Sequence, residues 1–369
     1  MHRIEIDRGK RLAAEPHVGH NRYHPDIEPI LEVEAGEEVV IETRDAVDGQ
    51  IAPGDTEAVF ATVDQGATHP LTGPIYVKGA APGDGLEIEF LDIEPQATGF
   101  SVIRPGIGFL RDIMTTPFLV HWQIKDGWAT SAQIPGVRIP GAPFMGISAV
   151  APSEIEMKAW SEREARLIER GGVALPPNPQ GAVPGGACGL TGLRTMPPRE
   201  NGGNFDVKQL TRGVRLTLPV FKDGGLFSTG DGHFAQGDGE VCVTAVEVGA
   251  TVTVRFKVLK GAYAERKFRA PIFTREDYFA DPKFAMPQRL LGVMGIPIDA
   301  DGENQGENLT LACRNAVLNM IELLMERGYN REQAYVICSV AVDLRISNVV
   351  DVPNYVVSAL LPEAIFDGD

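Results

Sequence analysis

The run GDGHFAQGDGE at 230–240 concentrates side chains that transfer protons and bind metal ions. Among its glycines it holds Asp231, His233, Gln236, Asp238 and Glu240. Glycine adopts positive φ and lets the backbone approach a ligand closely, so such a loop can direct several carboxylates and an imidazole at one point. The alternative is an acidic hairpin turn, because Gly and Asp are common turn residues. The strand-like residues that follow, VCVTAVEVGATVTVRFKV, favour a rigidly supported site.

Three further segments place Asp, His, Asn or Gln beside glycine at predicted strand edges. They read ETRDAVDGQI at 42–51, DQGATHPLTGPI at 64–75 and PPRENGGNFDVKQL at 197–210. If these segments converge on the 230–240 run, they supply oxygen and nitrogen donors without a thiolate. Such a donor set suits zinc, manganese or calcium and leaves the choice of ion open.

The signatures of several other chemistries are missing from the sequence. There is no HExxH, no GxSxG, no GxGxxG after a predicted strand and no phosphate-binding Walker loop. The 230–240 run also lacks the alternating acidic ligands of an EF-hand. These absences disfavour nucleotide cofactors and serine-triad chemistry.

The composition indicates a soluble protein of the cytoplasm. A length of 369 residues exceeds the usual size of one hydrophobic core, which predicts two or three domains. The formal net charge of -16 argues against binding to nucleic acid phosphates. No apolar stretch has the length of a signal-peptide core or a membrane span, so no membrane partner is expected. The cysteines form no CxxC pair and are expected to be reduced thiols.

Short alternating runs separated by Gly and Pro indicate a mainly β fold built from sandwich-like or barrel-like units. Three runs begin at a glycine turn and then alternate with period two. They are GEEVVIETRD at 36–45, GDGLEIEFLDI at 83–93 and GATVTVRFKVL at 249–259. The side chains of the last run that are predicted to face a core are Val252, Val254, Phe256 and Val258.

The segment at 69–90 aligns weakly with the segment at 233–256. Both segments start at a histidine and end at a phenylalanine, with glycines at corresponding places. The likeness predicts two similar β units, each sending a His-bearing loop toward a shared cleft. Chance similarity of two hairpins is the alternative, because turn chemistry alone makes hairpins look alike.

Helices are predicted in the middle of the chain and in its C-terminal part. The segment at 153–172 is predicted to be a surface helix capped by Ser153, and a Pro/Gly-rich loop follows it. Two more helices are predicted at 308–328 and 331–345, before a strand-like segment at 346–362. The predicted domains are an N-terminal β domain at 1–150, a helical insertion with its loop at 151–184, a second β domain at 185–300 and a C-terminal α/β appendage at 301–369.

Several of these segments together resemble the acetamidase/formamidase family of amidohydrolases. The likeness rests on DAVDGQI at 45–51, HPLTGPIYVKGAAPGDGLEIEFLDI at 69–93, PFMGISAVAP at 143–152, RTMPPRENGGNFDVKQL at 194–210, LFSTGDGHFAQGDGEV at 226–241 and SVAVDLRISNVVDVPNYVVSALLP at 339–362. The resemblance implies hydrolysis of a short linear amide to a carboxylate and ammonia. It also implies an enzyme built largely from β domains, assembled as a homo-oligomer and dependent on a metal ion.

A metal centre can be assigned to particular residues as a hypothesis. A divalent ion, zinc first with calcium or manganese as alternatives, would be held by His233, Asp206 and either Asp45 or His69. Such an ion would lower the pKa of bound water to about 7 and polarise the amide oxygen.

The remaining candidates divide into catalytic and substrate-binding residues. Glu240 would carry a proton from water to the departing nitrogen, with Asp231 as a second catalytic candidate. The predicted substrate-binding residues are Asn204, Gln50, Gln236 and Asp48. Asp48 precedes a glycine, so a plain turn also explains it.

Two other functions stay open at the level of sequence. A metal-free amidase would use Cys188 as nucleophile together with Glu240 and Lys208. A calcium-stabilised ligand-binding β protein would use the acidic loops to hold a structural ion, although aromatic residues for sugar stacking make up only 7% of the chain.

Overall fold

The computed structural model describes residues 1–277 and 289–366, and strands dominate this part of the chain. The strands are, in chain order, β1 (His2–Ile4), β2 (Gly19–His20), β3 (Arg22–Tyr23), β4 (Leu31–Val33), β5 (Glu38–Glu42), β6 (Leu71–Val77), β7 (Gly85–Pro95), β8 (Thr98–Ile103), β9 (Phe118–Lys125), β10 (Trp128–Thr130), β11 (Arg138–Pro140), β12 (Phe144–Ala149), β13 (Leu193–Arg194), β14 (Gly202–Asn204), β15 (Arg215–Pro219), β16 (Phe227–His233), β17 (Glu247–Val248), β18 (Ala250–Leu259), β19 (Ile272–Thr274), β20 (Leu290–Gly295), β21 (Asp343–Asn348) and β22 (Val356–Pro362). The helices are α1 (Glu154–Glu169), α2 (Gly186–Thr191), α3 (Leu309–Glu326) and α4 (Arg331–Ala341), with short 3-10 helices at Leu12–Ala14, Glu57–Ala61 and Glu363–Ile365. The predicted mainly β class is confirmed.

A six-stranded sheet has the order β1-β5-β18-β7-β15-β19. Its three adjacent strands β5, β18 and β7 correspond to the three alternating runs of the sequence. Val252, Val254 and Phe256 are fully buried, as their alternation predicts, whereas Val258 near the strand end is only half-buried. The period-two pattern therefore identified the inner face of this sheet.

An eleven-stranded sheet carries the side chains discussed below. Its main path runs β11-β10-β9-β8-β17-β16-β12-β14, and β6 joins it by pairing with β16, β2 and β4. Strand β16 lies at its centre, because β12, β17 and β6 all pair with it. Strands β3 and β13 form a separate two-stranded antiparallel sheet.

The two large sheets share one hydrophobic core. Ile41, Phe90 and Val254 of the six-stranded sheet belong to the same buried cluster as Ile75 and Phe227 of the eleven-stranded sheet. Each large sheet contains strands from both predicted β segments, 1–150 and 185–300. The fourfold domain division itself stays a prediction.

Helix α1 lies on the surface, in agreement with its charged sequence. The hydroxyl of Ser153 caps it by accepting from the backbone N–H groups of Ile155 and Glu156, and Trp160 is its buried residue. The C-terminal part joins α3 and α4 to a three-stranded sheet of order β20-β22-β21. Asn330 and Gln333 form a capping box at the start of α4. Among the residues described, no helix combines the length and the apolar character that crossing a membrane requires.

Candidate active site

Strand β16 places Asp231 and His233 on one face, because residues two apart in a strand point the same way. Both side chains are buried, and Asp231 has a positive φ of 58°. The glycines on either side of Asp231 are required by crowding. A Cβ at Gly230 would lie 2.4 Å from the carbonyl oxygen of Pro70, and one at Gly232 would lie 2.9 Å from that of Val248.

Gly146 on the neighbouring strand β12 leaves room for two carboxylates. A Cβ at this position would lie 2.6 Å from Asp206 Oδ1 and 2.9 Å from Asp231 Oδ2. Asp206 follows strand β14, and its backbone N–H donates to the carbonyl of Gly146. The carboxylates of Asp206 and Asp231 therefore both lie next to Gly146, although the two residues are far apart in the sequence.

Asn204, at the end of β14, is fixed by Asp206. Its Nδ2 donates to Asp206 Oδ2 at 2.6 Å, so its Oδ1 is the atom left without a hydrogen-bond partner among the described residues. Asn204 lines a cavity, and its Oδ1 can accept a hydrogen bond from an N–H group of a molecule bound there.

Glu247 and Glu240 complete the acidic surroundings of His233. Glu247 pairs directly with His233 across strands β16 and β17, and its Oε2 lies 3.2 Å from His233 Nε2. Glu240 Oε1 lies 3.9 Å and Asp231 Oδ1 3.4 Å from the same nitrogen. Glu247 was not predicted, although a single carboxylate inside the apolar run VTAVEVGA is a signal that could have identified it.

His69 approaches the cluster from the start of β6. It has a positive φ of 55°, and its Nδ1 lacks a hydrogen-bond partner in the described part of the chain. It also lines the cavity and interacts electrostatically with Asp231 and His233. His69 and His233, the histidines that begin the two aligned segments, therefore lie close together, one just before β6 and the other at the end of β16. The predicted pair of similar β units itself stays a prediction.

Backbone strain is concentrated around this cavity. Within residues 1–277 and 289–366, eight non-glycine residues have positive φ, and five of them line the cavity. The five are His69, Asp206, Asp231, Glu240 and Val243. Because left-handed backbone costs free energy for such residues and gathers at functional sites, this clustering marks the cavity as functional.

Gln236 lies behind His233 and fixes the orientation of the imidazole. Its Nε2 donates to the backbone carbonyl of Asp206 at 2.7 Å, and its Oε1 lies 2.9 Å from His233 Nδ1. The side chain does not line the cavity that contains the carboxylates. Its amide therefore fixes the His233 ring relative to the backbone of Asp206.

Three further predicted residues are held by the backbone nearby and do not line the cavity. Asp45 Oδ1 accepts from the N–H groups of Val47 and Gly49, as in a turn. Asp48 accepts from the backbone N–H of Leu12 and lies beside Arg44. The amide of Gln50 pairs with both backbone groups of Asp64.

The residues that a cysteine-dependent amidase would use, Cys188, Lys208 and Glu240, do not line one common cavity. Cys188 lies on α2, and neither it nor Lys208 lines the cavity that contains Glu240. Burial and the negative charge of Asp26 raise the pKa of the Cys188 thiol. Lys208 is bound to Asp343 in an ion pair. A nucleophilic cysteine needs a lowered pKa and an adjacent base, so this arrangement does not support it.

Burial and neighbouring charges shift the pKa values of the titratable groups in and beside the cavity. Burial and the negative charge of Asp231 raise the pKa of Asp206, and burial and Asp206 raise the pKa of Glu240. For His233, burial opposes the charged form, but Glu247 and Asp231 outweigh it and raise the pKa of the imidazole. Burial lowers the pKa of His69. The cluster therefore attracts a positive charge, either a proton or a cation.

Two overlapping groups of side chains have the composition of a metal site. One contains Asp206, His233 and Glu240, and the other contains Asp231, His233 and Glu247. In each group the ligand atoms lie within 4.8 Å of one another. Buried polar atoms without hydrogen-bond partners in the described chain include Asp206 Oδ1, Asp231 Oδ1, His233 Nε2 and Glu247 Oε2. Burying such atoms is costly unless a ligand pairs with them, so this donor set fits a divalent cation.

The comparisons with known proteins agree on one class, the amide hydrolases. A model of the acetamidase/formamidase family matches residues 5–368. The chain therefore belongs to the acetamidase/formamidase family, as the sequence motifs indicated.

Individual relatives cover almost the whole chain. An acetamidase of Mycolicibacterium smegmatis is 37% identical over 90% of this chain and 88% of its own length. A formamidase of Methylophilus methylotrophus is 34% identical over 99% of this chain and 94% of its own length. Among solved structures, a gamma lactamase from Delftia acidovorans has a TM-score of 0.94 at 36% identity, covering 100% of this chain and 94% of that one.

Proposed function

We propose that this protein hydrolyses the C–N bond of short linear amides, with formamide and acetamide as the simplest substrates. The observation that carries the proposal is a cavity lined by His69 and four carboxylates, with His233 close behind them: its ring nitrogen lies within 4.8 Å of an oxygen of each of the four. Amides are neutral and small, so they can enter an acidic cavity without electrostatic repulsion. Formamidase and acetamidase relatives support this substrate class.

The proposed cofactor is a divalent metal ion, with zinc preferred over calcium or manganese. His233 Nε2 with the carboxylates of Asp206, Asp231 and Glu247 would hold it, and His69 is the further candidate ligand. A mixed nitrogen and oxygen donor set suits zinc, whereas calcium prefers oxygen donors alone. When bound, the ion supplies Lewis-acid polarisation of the amide carbonyl and lowers the pKa of water.

Glu240 is the proposed proton carrier. Its carboxylate accepts a proton from the attacking water as the new C–O bond forms. It then returns the proton to the amide nitrogen as the C–N bond breaks, because an unprotonated nitrogen is a very poor leaving group. Burial and Asp206 raise the pKa of Glu240, which makes its carboxylate a stronger base for this proton.

Asn204 is the proposed binding group for the amide NH2. Its Nδ2 is committed to Asp206, so its Oδ1 is available to accept from the substrate. Gln236 serves as a positioning residue for His233 rather than as a substrate contact. Asp48 and Gln50 have no part in the proposed mechanism, because backbone groups already occupy their side chains. Asp45 has only Oδ1 occupied in this way and stays a further candidate ligand.

Ammonia release from formamide and acetamide tests the proposed activity. The wild-type protein and the variants His233→Ala and Cys188→Ala are assayed side by side. We expect turnover by the wild type and by Cys188→Ala, and loss of turnover in His233→Ala. Turnover that persists in His233→Ala but disappears in Cys188→Ala would instead support the cysteine alternative.

We also propose that the enzyme assembles as a homo-oligomer. Apolar side chains are exposed on the C-terminal sheet and its loop, among them Met294, Ile346, Val350 and Val352. Exposed apolar patches of this kind are typical of association surfaces. Light scattering of the purified protein measures the assembly, and a monomeric mass would contradict it.

A further inference from the structure

The cavity above the carboxylates is larger than the smallest amides require. It encloses about 130 Å³. An engineered protein cavity of about 150 Å³ holds a benzene molecule, which has six carbon atoms. Formamide, with three non-hydrogen atoms, would leave most of this volume unfilled.

The cavity is divided into a polar floor and an apolar wall. The floor consists of His69 and the carboxylates of Asp206, Asp231, Glu240 and Glu247. Facing it are Val47, Ile51, Phe60, Val63, Phe100 and Val102. An amide bound with its carbonyl and nitrogen at the floor therefore directs its acyl group at this wall.

The wall is a small hydrophobic cluster separate from the two main cores. Phe100 and Val102 project from one face of β8 and pack with Ile51. Phe60 and Val63, from the 3-10 helix at Glu57–Ala61 and the residues after it, are only half-buried against this cluster. Half-buried apolar side chains that face a cavity are the surfaces that gain most from an apolar ligand.

The mouth of the cavity is also apolar. Val243 and Ile107 line it and are 39% and 41% exposed. Val243 has a positive φ of 87°, which is rare for a β-branched residue, so its placement is maintained at a cost in free energy. Strain at this point indicates that the position of the side chain has a function.

We infer that the site is built for amides with a compact apolar acyl group of about four to six carbon atoms. The inference rests on the proposed amide hydrolysis and adds a substrate class to it. Arg104 also lines the cavity, but the apolar side chains of the wall outnumber it, so a neutral acyl group is favoured over an anionic one. Each methylene group that the wall buries should raise kcat/KM about fourfold.

A series of amides tests this inference. Rates of ammonia release are compared for formamide, acetamide, propionamide, butyramide, pentanamide and benzamide, with the monoamide of glutaric acid as an anionic counterpart of pentanamide. We expect kcat/KM to rise from formamide to butyramide or pentanamide, and pentanamide to exceed its anionic counterpart. A maximum at formamide or acetamide, or a preference for the anionic amide, would overturn the inference while leaving amide hydrolysis intact. Absence of hydrolysis across the series would overturn both.

Two substitutions, with a third as a matched control, test whether the acyl group packs against the wall. Val63→Phe fills the cavity and should lower the ratio of kcat/KM for butyramide to that for acetamide at least tenfold. Val59→Phe adds the same volume to the same cluster at a residue that does not line the cavity, and should leave this ratio unchanged. Phe60→Ala enlarges the cavity and should move the preferred chain one or two carbons longer. Equal ratios in wild type, Val63→Phe and Phe60→Ala would overturn the assignment.

Discussion

Gln236 Oε1 and His233 Nδ1 lie 2.9 Å apart, and this contact fixes the role of the other imidazole nitrogen. Because the Nε2 of Gln236 donates to the carbonyl of Asp206, its oxygen must face the ring and accept from Nδ1. A neutral imidazole then directs the lone pair of Nε2 at Asp231 and Glu247. Lone pairs and carboxylates repel, so a proton or a metal cation must lie between them.

Removing the amide of Gln236 should weaken metal binding without touching the cavity itself. We expect Gln236→Ala to lower metal affinity and kcat/KM by about 10- to 100-fold, because the ring loses the acceptor that orients it. Metal titration of the purified variant measures this. Gln209→Ala is the matched control, since Gln209 lines the adjacent cavity with Gln236 but does not contact His233. Equal losses in both variants would contradict the positioning role.

Neutralising Glu240 should block proton transfer. We expect Glu240→Gln to lower kcat by about 10²- to 10⁴-fold, with folding retained. Steady-state kinetics on acetamide measure the change. Asp238→Asn alters a carboxyl group two residues away that faces Lys208, and it should change kcat far less. An active Glu240→Gln variant would remove Glu240 from the mechanism.

A single methyl group at Gly146 should disturb two carboxylates at once. The added Cβ would overlap Asp206 Oδ1 and Asp231 Oδ2, so we expect Gly146→Ala to lower kcat/KM about 100-fold. Gly185→Ala adds the same group where no atom lies within 4 Å and should have little effect. Wild-type kinetics in Gly146→Ala would mean that the two carboxylates need no fixed separation.

His20 should make stability depend on pH. Its Nδ1 donates to the carbonyl of Arg22, its Nε2 faces the Ser228 hydroxyl, and burial lowers its pKa from 6.5 to about 4. Between about pH 4 and pH 6.5, His20 is protonated in the unfolded chain and neutral in the folded protein. The stabilisation is therefore complete above pH 6.5 and is lost as pH falls toward 4.

Urea unfolding of wild type and His20→Gln at pH 7.5 and pH 5 measures this dependence. The wild type should lose about 2 kcal/mol relative to the variant over that interval, following the pKa of His20. Other groups titrate equally in both proteins, so they cancel in the comparison. A difference in unfolding free energy that does not change with pH would show that His20 is not buried in its neutral form.

The sequence predicted the strands better than it predicted the contacts between them. Val252, Val254 and Phe256 revealed an inner face, because period-two alternation is a local property of the chain. Glu247 was not predicted, because its proximity to His233 arises from the pairing of two strands. The sequence alone does not specify that register. Asp48 was grouped with the site through its motif, yet its carboxylate binds Leu12, far away in the sequence.

We propose that the carboxylates and imidazoles around His233 hold a divalent cation on which amide hydrolysis depends. The most direct measurement is ammonia release from acetamide by protein whose metal content is determined before chelation, after exhaustive chelation and after addition of zinc. We expect activity to fall with the metal content and to return with it. Full activity in protein that retains no metal would rule out the proposed metal dependence.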